Sequence, residues 1–244
     1  MTNNLASQIP QLNCDLGEGV SGEEKIFPWI DVGSIACGGH YGSEKTIEDT
    51  LKLAENFQKK AGAHPSYPDK ENFGRESVAI SLQALKKSLA GQIRLFSQVA
   101  DYLNMEMDHI KFHGALYNDA ARKSDLADFL SDFLMEMYPE IPVFVPPNSL
   151  MHEFALKKKL PHRLEIFGDR AYLDNYQLAP RNLKNSLLTE KEKVESHIQS
   201  ILFDGLIRTM DGNFIPVKAD TICFHGDNPG LPNFLPFIRQ TYWT

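Results

Sequence analysis

The chain is short of cysteine, of long apolar runs and of positive charge, and each shortage removes a class of protein. Three cysteines in 244 residues, Cys14, Cys37 and Cys223, are odd in number and too sparse for a disulfide framework. None forms the CxxC pair of a structural zinc site, so they read as small buried packing residues. No stretch approaches the roughly 20 consecutive apolar residues of a membrane-spanning helix. The opening residues, Met1 to Pro10, carry neither a basic patch nor an apolar segment, so no signal peptide is expected. Lys and Arg number 25 against 32 Asp and Glu, a formal charge of −7. That balance argues against nucleic acid, whose phosphates require clustered cations. The longest basic run, Lys157 to Lys159, reads as a solvated helix end. The phosphate-cradling pattern Gly-x-x-x-x-Gly-Lys-Ser/Thr is also missing. These absences leave a soluble, cytoplasmic, acidic protein as the expectation.

What is present is an ordinary globular composition, 42% hydrophobic and 23% charged, which excludes disorder. A chain of this length buries roughly 70–75% of its unfolded surface, and residues 1–244 are expected to form a single domain. Short apolar runs alternate with helical patterns. The expected strands are Gln11–Leu16, Asp31–Cys37, Lys60–His64, Asp108–His113, Ile141–Val145, Leu164–Gly168 and Thr221–His225. Helical patterns follow at Glu44–Gln58 behind a Ser43 cap, from Ser81 through Leu103, at Ser124–Met137, at Ser149–Lys159 behind an Asn148 cap, and at Pro229–Thr244. Thr189 with Glu192 has the form of a capping box for Lys191–Phe203. Asp211-Gly212 between Leu206–Met210 and Phe214–Val217 reads as a two-residue hairpin turn. Repeated strand–helix order implies a parallel sheet with right-handed crossovers, open or closed into a barrel.

Parallel strands are buried on both faces and their interiors should be apolar, so polar residues at their C-terminal ends are informative. Asn13, Asp15 and Glu18 end the first strand, His40 follows the second, His64 ends the third, and Lys111 and His113 end the fourth. Asp169 and Arg170 follow the sixth strand, and His225 and Asp227 end the seventh. Strand parity places Asn13 with Asp15, and Lys111 with His113, on shared faces that would converge at one mouth. Arg75, after Phe73-Gly74, and Arg181, after Pro180, are further cations. His109, His152, His162 and His197 lie off this pattern and read as surface or helix residues. With three ligands spread over separate strands, Asp15, His64 and His113 are the set that could hold a metal ion.

Six ordered motifs resemble the LamB/YcsF family, that of the A subunits of 5-oxoprolinase. They are Leu12-Asn13-Cys14-Asp15-Leu16-Gly17-Glu18, Ile35-Ala36-Cys37-Gly38 with His40, and Gly62-Ala63-His64-Pro65 with Phe73-Gly74-Arg75, then Lys111-Phe112-His113-Gly114, Asp169-Arg170-Ala171-Tyr172 with Pro180-Arg181, and Lys218-Ala219-Asp220 with His225-Gly226-Asp227. Position 43 is Ser where the family usually carries Asp, and Ser still serves as a helix cap. The resemblance implies a seven-stranded β/α barrel related to glycoside hydrolases and deacetylases. It implies ATP-dependent opening of the lactam of 5-oxo-L-proline to L-glutamate, with ATP carried with Mg²⁺ as its counter-ion and with partner subunits B and C. On this reading Asp15, His64, Lys111, His113 and Asp169 are catalytic. Asp15 with His113 forms an acid–base core and Lys111 meets phosphate. Asn13, Glu18, His40, Arg75, Arg170, Arg181, His225 and Asp227 bind substrate or ATP, and no tightly bound metal is expected. The rival readings are a metal-dependent deacetylase or amidohydrolase built on Asp15, His64 and His113, and a ligand-binding subunit whose partners do the chemistry.

Overall fold

The computed structural model describes residues 9–243; all but the last two residues of the segment read above for a leader lie outside them. Seven parallel strands close into a barrel: β1 (Gln11–Leu16), β2 (Val32–Ala36), β3 (Lys60–His64), β4 (Met107–Ile110), β5 (Val143–Val145), β6 (His162–Phe167) and β9 (Thr221–His225). β9 pairs with both β6 and β1 and so seals the ring. Between β6 and β9 an antiparallel hairpin, β7 (Leu206–Arg208) and β8 (Phe214–Pro216), stands outside the barrel. Its turn has three residues rather than two, because Thr209 N still donates to Asn213 O. Among the described residues no helix is long and apolar enough to cross a membrane.

The helices are α1 (Glu44–Asn56), α2 (Leu82–Tyr102), α3 (Gly114–Arg122), α4 (Ser124–Met137), α5 (Leu150–Lys158), α6 (Lys191–Gln199) and α7 (Leu231–Tyr242). Ser43 caps α1 through a capping box with Thr46, and Ser81 caps α2. Two expected caps are displaced. Ser149, not Asn148, accepts from His152 N at the start of α5, and Asn148 instead turns the chain at φ 57°. The cap position of α6 is Glu190, one residue past the register that a Thr189–Glu192 box needs, and Lys193 Nζ pairs with Glu190 instead, at 2.6 Å. Helix α3 departs from the expected pattern, because it begins directly behind His113 with no polar cap to announce it.

Alternate strand residues face opposite ways, and the two faces differ sharply. Leu12, Cys14, Leu16, Ile35, Ile110, Ile166, Ile222 and Phe224 are buried in the apolar core. The barrel interior departs from the expected apolar filling: Asn13, Asp15, Ser34, His64, His109, Lys111, Glu165 and Thr221 are all buried and polar. Burying such groups is costly unless each finds a partner, so the interior is a hydrogen-bonded column.

His109 is part of it, contrary to its reading as a surface or helix residue, for it lies on strand β4. It is wholly buried, stacks on Phe144 at 3.9 Å and lies 2.9 Å from Ser34 Oγ. His197 does lie on a helix, α6, but on its buried face, its Nε2 donating to Phe167 O at 3.1 Å. A bulge makes room for His109, since Ala61 pairs with Met107 but Ala63 with Ile110. Two residues of β4 thus oppose Gly62 alone. A Cβ there would fall 2.4 Å from both His109 Nδ1 and His109 O, so no larger residue fits.

Candidate active site

The strands deliver their polar residues to the C-terminal end of the barrel in two layers. The deeper layer centres on Lys111. Beyond β4 the chain stays extended, with Lys111 N donating to Ala63 O and His113 N to Pro65 O. Lys111 Nζ meets Asp15 Oδ1 at 2.7 Å, Glu165 Oε1 at 3.0 Å, Cys223 Sγ at 3.0 Å and Asn13 Oδ1 at 3.4 Å. Burial opposes the ammonium charge, but Asp15, with Cys223 and Glu165, holds its pKa well above the ordinary lysine value. Burial likewise opposes ionisation of Asp15, yet His64 and Lys111 keep it well below the usual carboxylate range. Burial pushes Glu165 up, against Lys111. Asn13 donates to Glu165 and Thr221, completing the network.

Above it sits a cluster of Glu18, His40, His64 and His113, all buried, whose ligand atoms lie within 4.8 Å of one another. Glu18 Oε1 is 2.9 Å from His40 Nε2, 3.2 Å from His113 Nδ1 and 3.9 Å from His64 Nε2. Glu23 holds the loop that carries Glu18 by accepting from Gly17 N and Glu18 N. His64 Nδ1 donates to Lys111 O at 2.8 Å, and His113 Nε2 donates to Phe73 O at 3.0 Å. Carbonyls only accept, so both rings turn their other nitrogens, 3.0 Å apart, toward each other. His40 stacks on His113 at 3.7 Å and is bounded by Phe73 at 5.1 Å, and its Nδ1 has no partner. Burial lowers the pKa of both His40 and His113, against Glu18. The Phe73-Gly74 turn covers the cluster. Phe73 adopts φ 55° and Gly74 φ 63°, and a Cβ on Gly74 would fall 3.0 Å from His40 Cβ and 3.1 Å from His113 Cδ2.

The rim around these two layers is more exposed. Buried Asp169 accepts from His225 Nδ1 at 2.8 Å, His225 N at 3.0 Å and Asn228 Nδ2 at 2.9 Å. This leaves His225 Nε2 as the unengaged nitrogen of that ring. Register places His225 beside Asp15. Asp227 bridges Arg75 at 2.6 Å and Arg181 at 3.1 Å, tying together the loops after β3, β6 and β9.

Most of the residues named from sequence therefore meet here, with four differences. Arg170 is not at the mouth. It is buried in the loop after β6, donating to Ser186 O and Ala179 O, where burial, with Arg181 nearby, lowers its pKa to about 10. Lys111 faces carboxylates inside the barrel rather than phosphate at the mouth. Cys223 is more than packing, because its thiol touches Lys111, although burial and Asp15 raise its pKa and keep it protonated. The metal-type donor set is Glu18, His40, His64 and His113, not Asp15, His64 and His113; Asp15 is engaged by Lys111. Glu165 and Glu23 were missed. Glu165 stood out only as a carboxylate inside an otherwise apolar strand, and Glu23 carried no signal.

A parallel barrel with a polar C-terminal mouth defines the class to which the chain belongs, and its relatives make that class particular. Residues 10–243 match the model of the LamB/YcsF family, and the chain belongs to that family. It is 34% identical over 241 residues to the 5-oxoprolinase A subunit of Vibrio cholerae serotype O1, covering 96% of this chain and 98% of that protein. It is 35% identical over 218 residues to the 5-oxoprolinase A subunit of Haemophilus influenzae, covering 89% of each. The lactam utilization protein of Thermus thermophilus, known from a crystal structure, superposes with a TM-score of 0.87 at 32% identity, covering 95% of this chain and 94% of that one.

Proposed function

We propose that this chain is the A subunit of an ATP-dependent 5-oxoprolinase, opening the lactam of 5-oxo-L-proline to L-glutamate in the cytoplasm together with subunits B and C. The observation that carries the reading is an imidazole, His225, oriented by buried Asp169 with its Nε2 free, beside ionised Asp15 at the mouth of the barrel. A lactam resists hydrolysis because its amide is resonance-stabilised. In this reading the γ-phosphoryl of Mg²⁺-bound ATP passes to the lactam oxygen and ADP departs. A water adds to the activated carbon, giving its proton to His225 Nε2. The C–N bond then breaks, the proton moves to the departing nitrogen, and an acyl phosphate remains. A second water releases phosphate and glutamate.

Asp15 stays ionised and positions water, and Lys111 supplies its counter-charge. Arg75 and Arg181 are the cations with open guanidinium groups for carboxylate or phosphate oxygens. The chain has no Gly-x-x-x-x-Gly-Lys-Ser/Thr motif, which suits nucleotide binding shared with the partners.

The test is reconstitution with subunits B and C. 5-Oxoproline should drive release of ADP and glutamate in equal amounts, and His225→Gln should lower kcat by roughly 10²–10⁴-fold, the usual contribution of one acid–base group. A reconstituted complex in which 5-oxoproline fails to stimulate ADP release ends this reading. The Glu18–His40–His64–His113 donor set favours a second one, a metal-dependent amide hydrolase, which would turn over without ATP.

A further inference from the structure

We infer that Glu18, His40, His64 and His113 form a binding site for one divalent transition-metal ion, with zinc the ion their donors suit. The inference goes beyond the 5-oxoproline reading, since no step of that reaction as written calls on an ion there.

The first argument counts protons. His64 and His113 each spend their ring hydrogen on a carbonyl, Lys111 O and Phe73 O. Two neutral rings in this arrangement would direct two lone pairs at each other across 3.0 Å. Glu18, acceptor-only when ionised, faces His113 Nδ1 at 3.2 Å and His64 Nε2 at 3.9 Å. Three acceptors, on Glu18, His64 and His113, converge on one point, and the one N–H that can meet them is His40 Nε2, turned to Glu18. A cation at the centre turns these repulsions into bonds.

The second argument is size. A tetrahedral zinc with ligands at about 2.0–2.1 Å spaces them roughly 3.3–3.4 Å apart. Three pairs here are separated by 2.9, 3.0 and 3.2 Å and a fourth by 3.9 Å, with all the donors inside 4.8 Å of one another, so shifts of about 1 Å bring them to zinc distances. The third is support. Imidazoles that bind metals almost always donate their other nitrogen to a carboxylate or carbonyl, which fixes ring orientation, and His64 and His113 both do so. His40 is held by its stack on His113 instead. Three imidazoles and one carboxylate suit zinc, iron or nickel better than magnesium or calcium, which favour all-oxygen shells. The Asp15 carboxylate, 3.4 Å from His64 Nε2, borders the site but is paired with Lys111.

The test uses the full chain alone, without substrate, ATP or partners, so that its failure and failure of the oxoprolinase reading are separate results. The chain is stripped with a chelator, incubated with Zn²⁺ and cleared of free ion, and its metal is counted. About one equivalent per chain is expected. Co²⁺ should give the visible absorption of a nitrogen- and oxygen-ligated ion of low coordination number. Zn²⁺ at a hundred times its Kd should raise the melting midpoint by roughly 5–10 °C. His64→Ala, His113→Ala and Glu18→Gln should each weaken Co²⁺ binding more than roughly 100-fold, whereas His152→Gln, outside the cluster, should keep full binding. Because the count and the melting shift are read on the unaltered chain, an unfolded variant does not cloud the answer. A wild-type chain that retains under about a tenth of an equivalent and shows no shift overturns the site, and a proton shared by His64 and His113 then takes the ion's place.

Discussion

Two buried polar clusters that contain histidine occupy the same barrel, one toward each end, and they are satisfied differently. Toward the N-terminal end, His109 Nδ1 donates to Asp108 at 3.3 Å and its Nε2 accepts from Ser34 at 2.9 Å. Asp108 is matched in turn by Arg163 at 2.5 Å and Lys60 at 3.1 Å. These are the residue types of a hydrolytic triad, yet Ser34 and His109 are wholly buried and no substrate reaches them. Every donor there has an acceptor. At the other end His64 and His113 are buried too, but two neutral rings leave no proton for the 3.0 Å gap between their facing nitrogens. The difference teaches that composition alone does not mark a site. A closed hydrogen-bond account marks structure, and an unclosed one, held rigid by carbonyls and a strained turn, marks function.

The largest expected effect breaks the comparison at its functional end. In the reconstituted complex, His64→Gln should reduce kcat by at least about 100-fold, because His64 helps hold Asp15 ionised, while the polar replacement lowers the melting midpoint less than His109→Ala does; steady-state kinetics beside calorimetry decides. His109→Ala should do the reverse, costing about 2–5 kcal/mol of folding stability through a lost stack and orphaned partners, with kcat per folded molecule unchanged. Equal losses of activity from the two would erase the distinction.

The pH dependence sharpens it. Burial above all, against Asp108, holds His109 near pKa 4 in the folded chain, below its ordinary value near 6.5. The unfolded chain therefore binds a proton that the folded chain refuses, so stability falls as pH drops from about 6.5 to 4, by roughly 3 kcal/mol from this residue. Urea titrations across that range should show the slope, and His109→Asn should flatten it. Gly62→Ala, which drives a methyl into the same ring, should cost about 2–3 kcal/mol; a variant as stable as wild type would mean that the bulge yields. The smallest effect belongs to the mouth. Arg75→Gln should change stability by less than about 1 kcal/mol, because its pairing with Asp227 is half-exposed, yet raise the KM for 5-oxoproline.

Much of this was legible in the sequence. β1, β3, β9 and α4 fall where their patterns put them, the strands because short apolar runs leading into Gly, His or Pro are hard to mistake for helix, and α4 because its apolar residues recur at helical spacing. The strand-end rule also found Glu18, His40, His64 and His113. It went wrong where a residue's partner was far along the chain. Glu165 reads as an oddity until Lys111, far away in sequence, is seen across the barrel. Arg170 reads as a mouth cation until its loop folds back and offers Ser186 O and Ala179 O. His109 was within reach, since it shares strand parity with Lys111 and His113 and so faces the same interior nearer the strand's start.

Lys111 acts through two handles that answer to different rules. Its ammonium sets the charge of Asp15, and its carbonyl fixes the proton on His64. A substitution can alter only the first, because every amino acid brings the same carbonyl. Lys111→Met is thus not a deletion of the residue but a dissection of it: the imidazole keeps its tautomer while the carboxylate loses its neighbour. The barrel has wired its two layers through one backbone atom that mutation cannot replace.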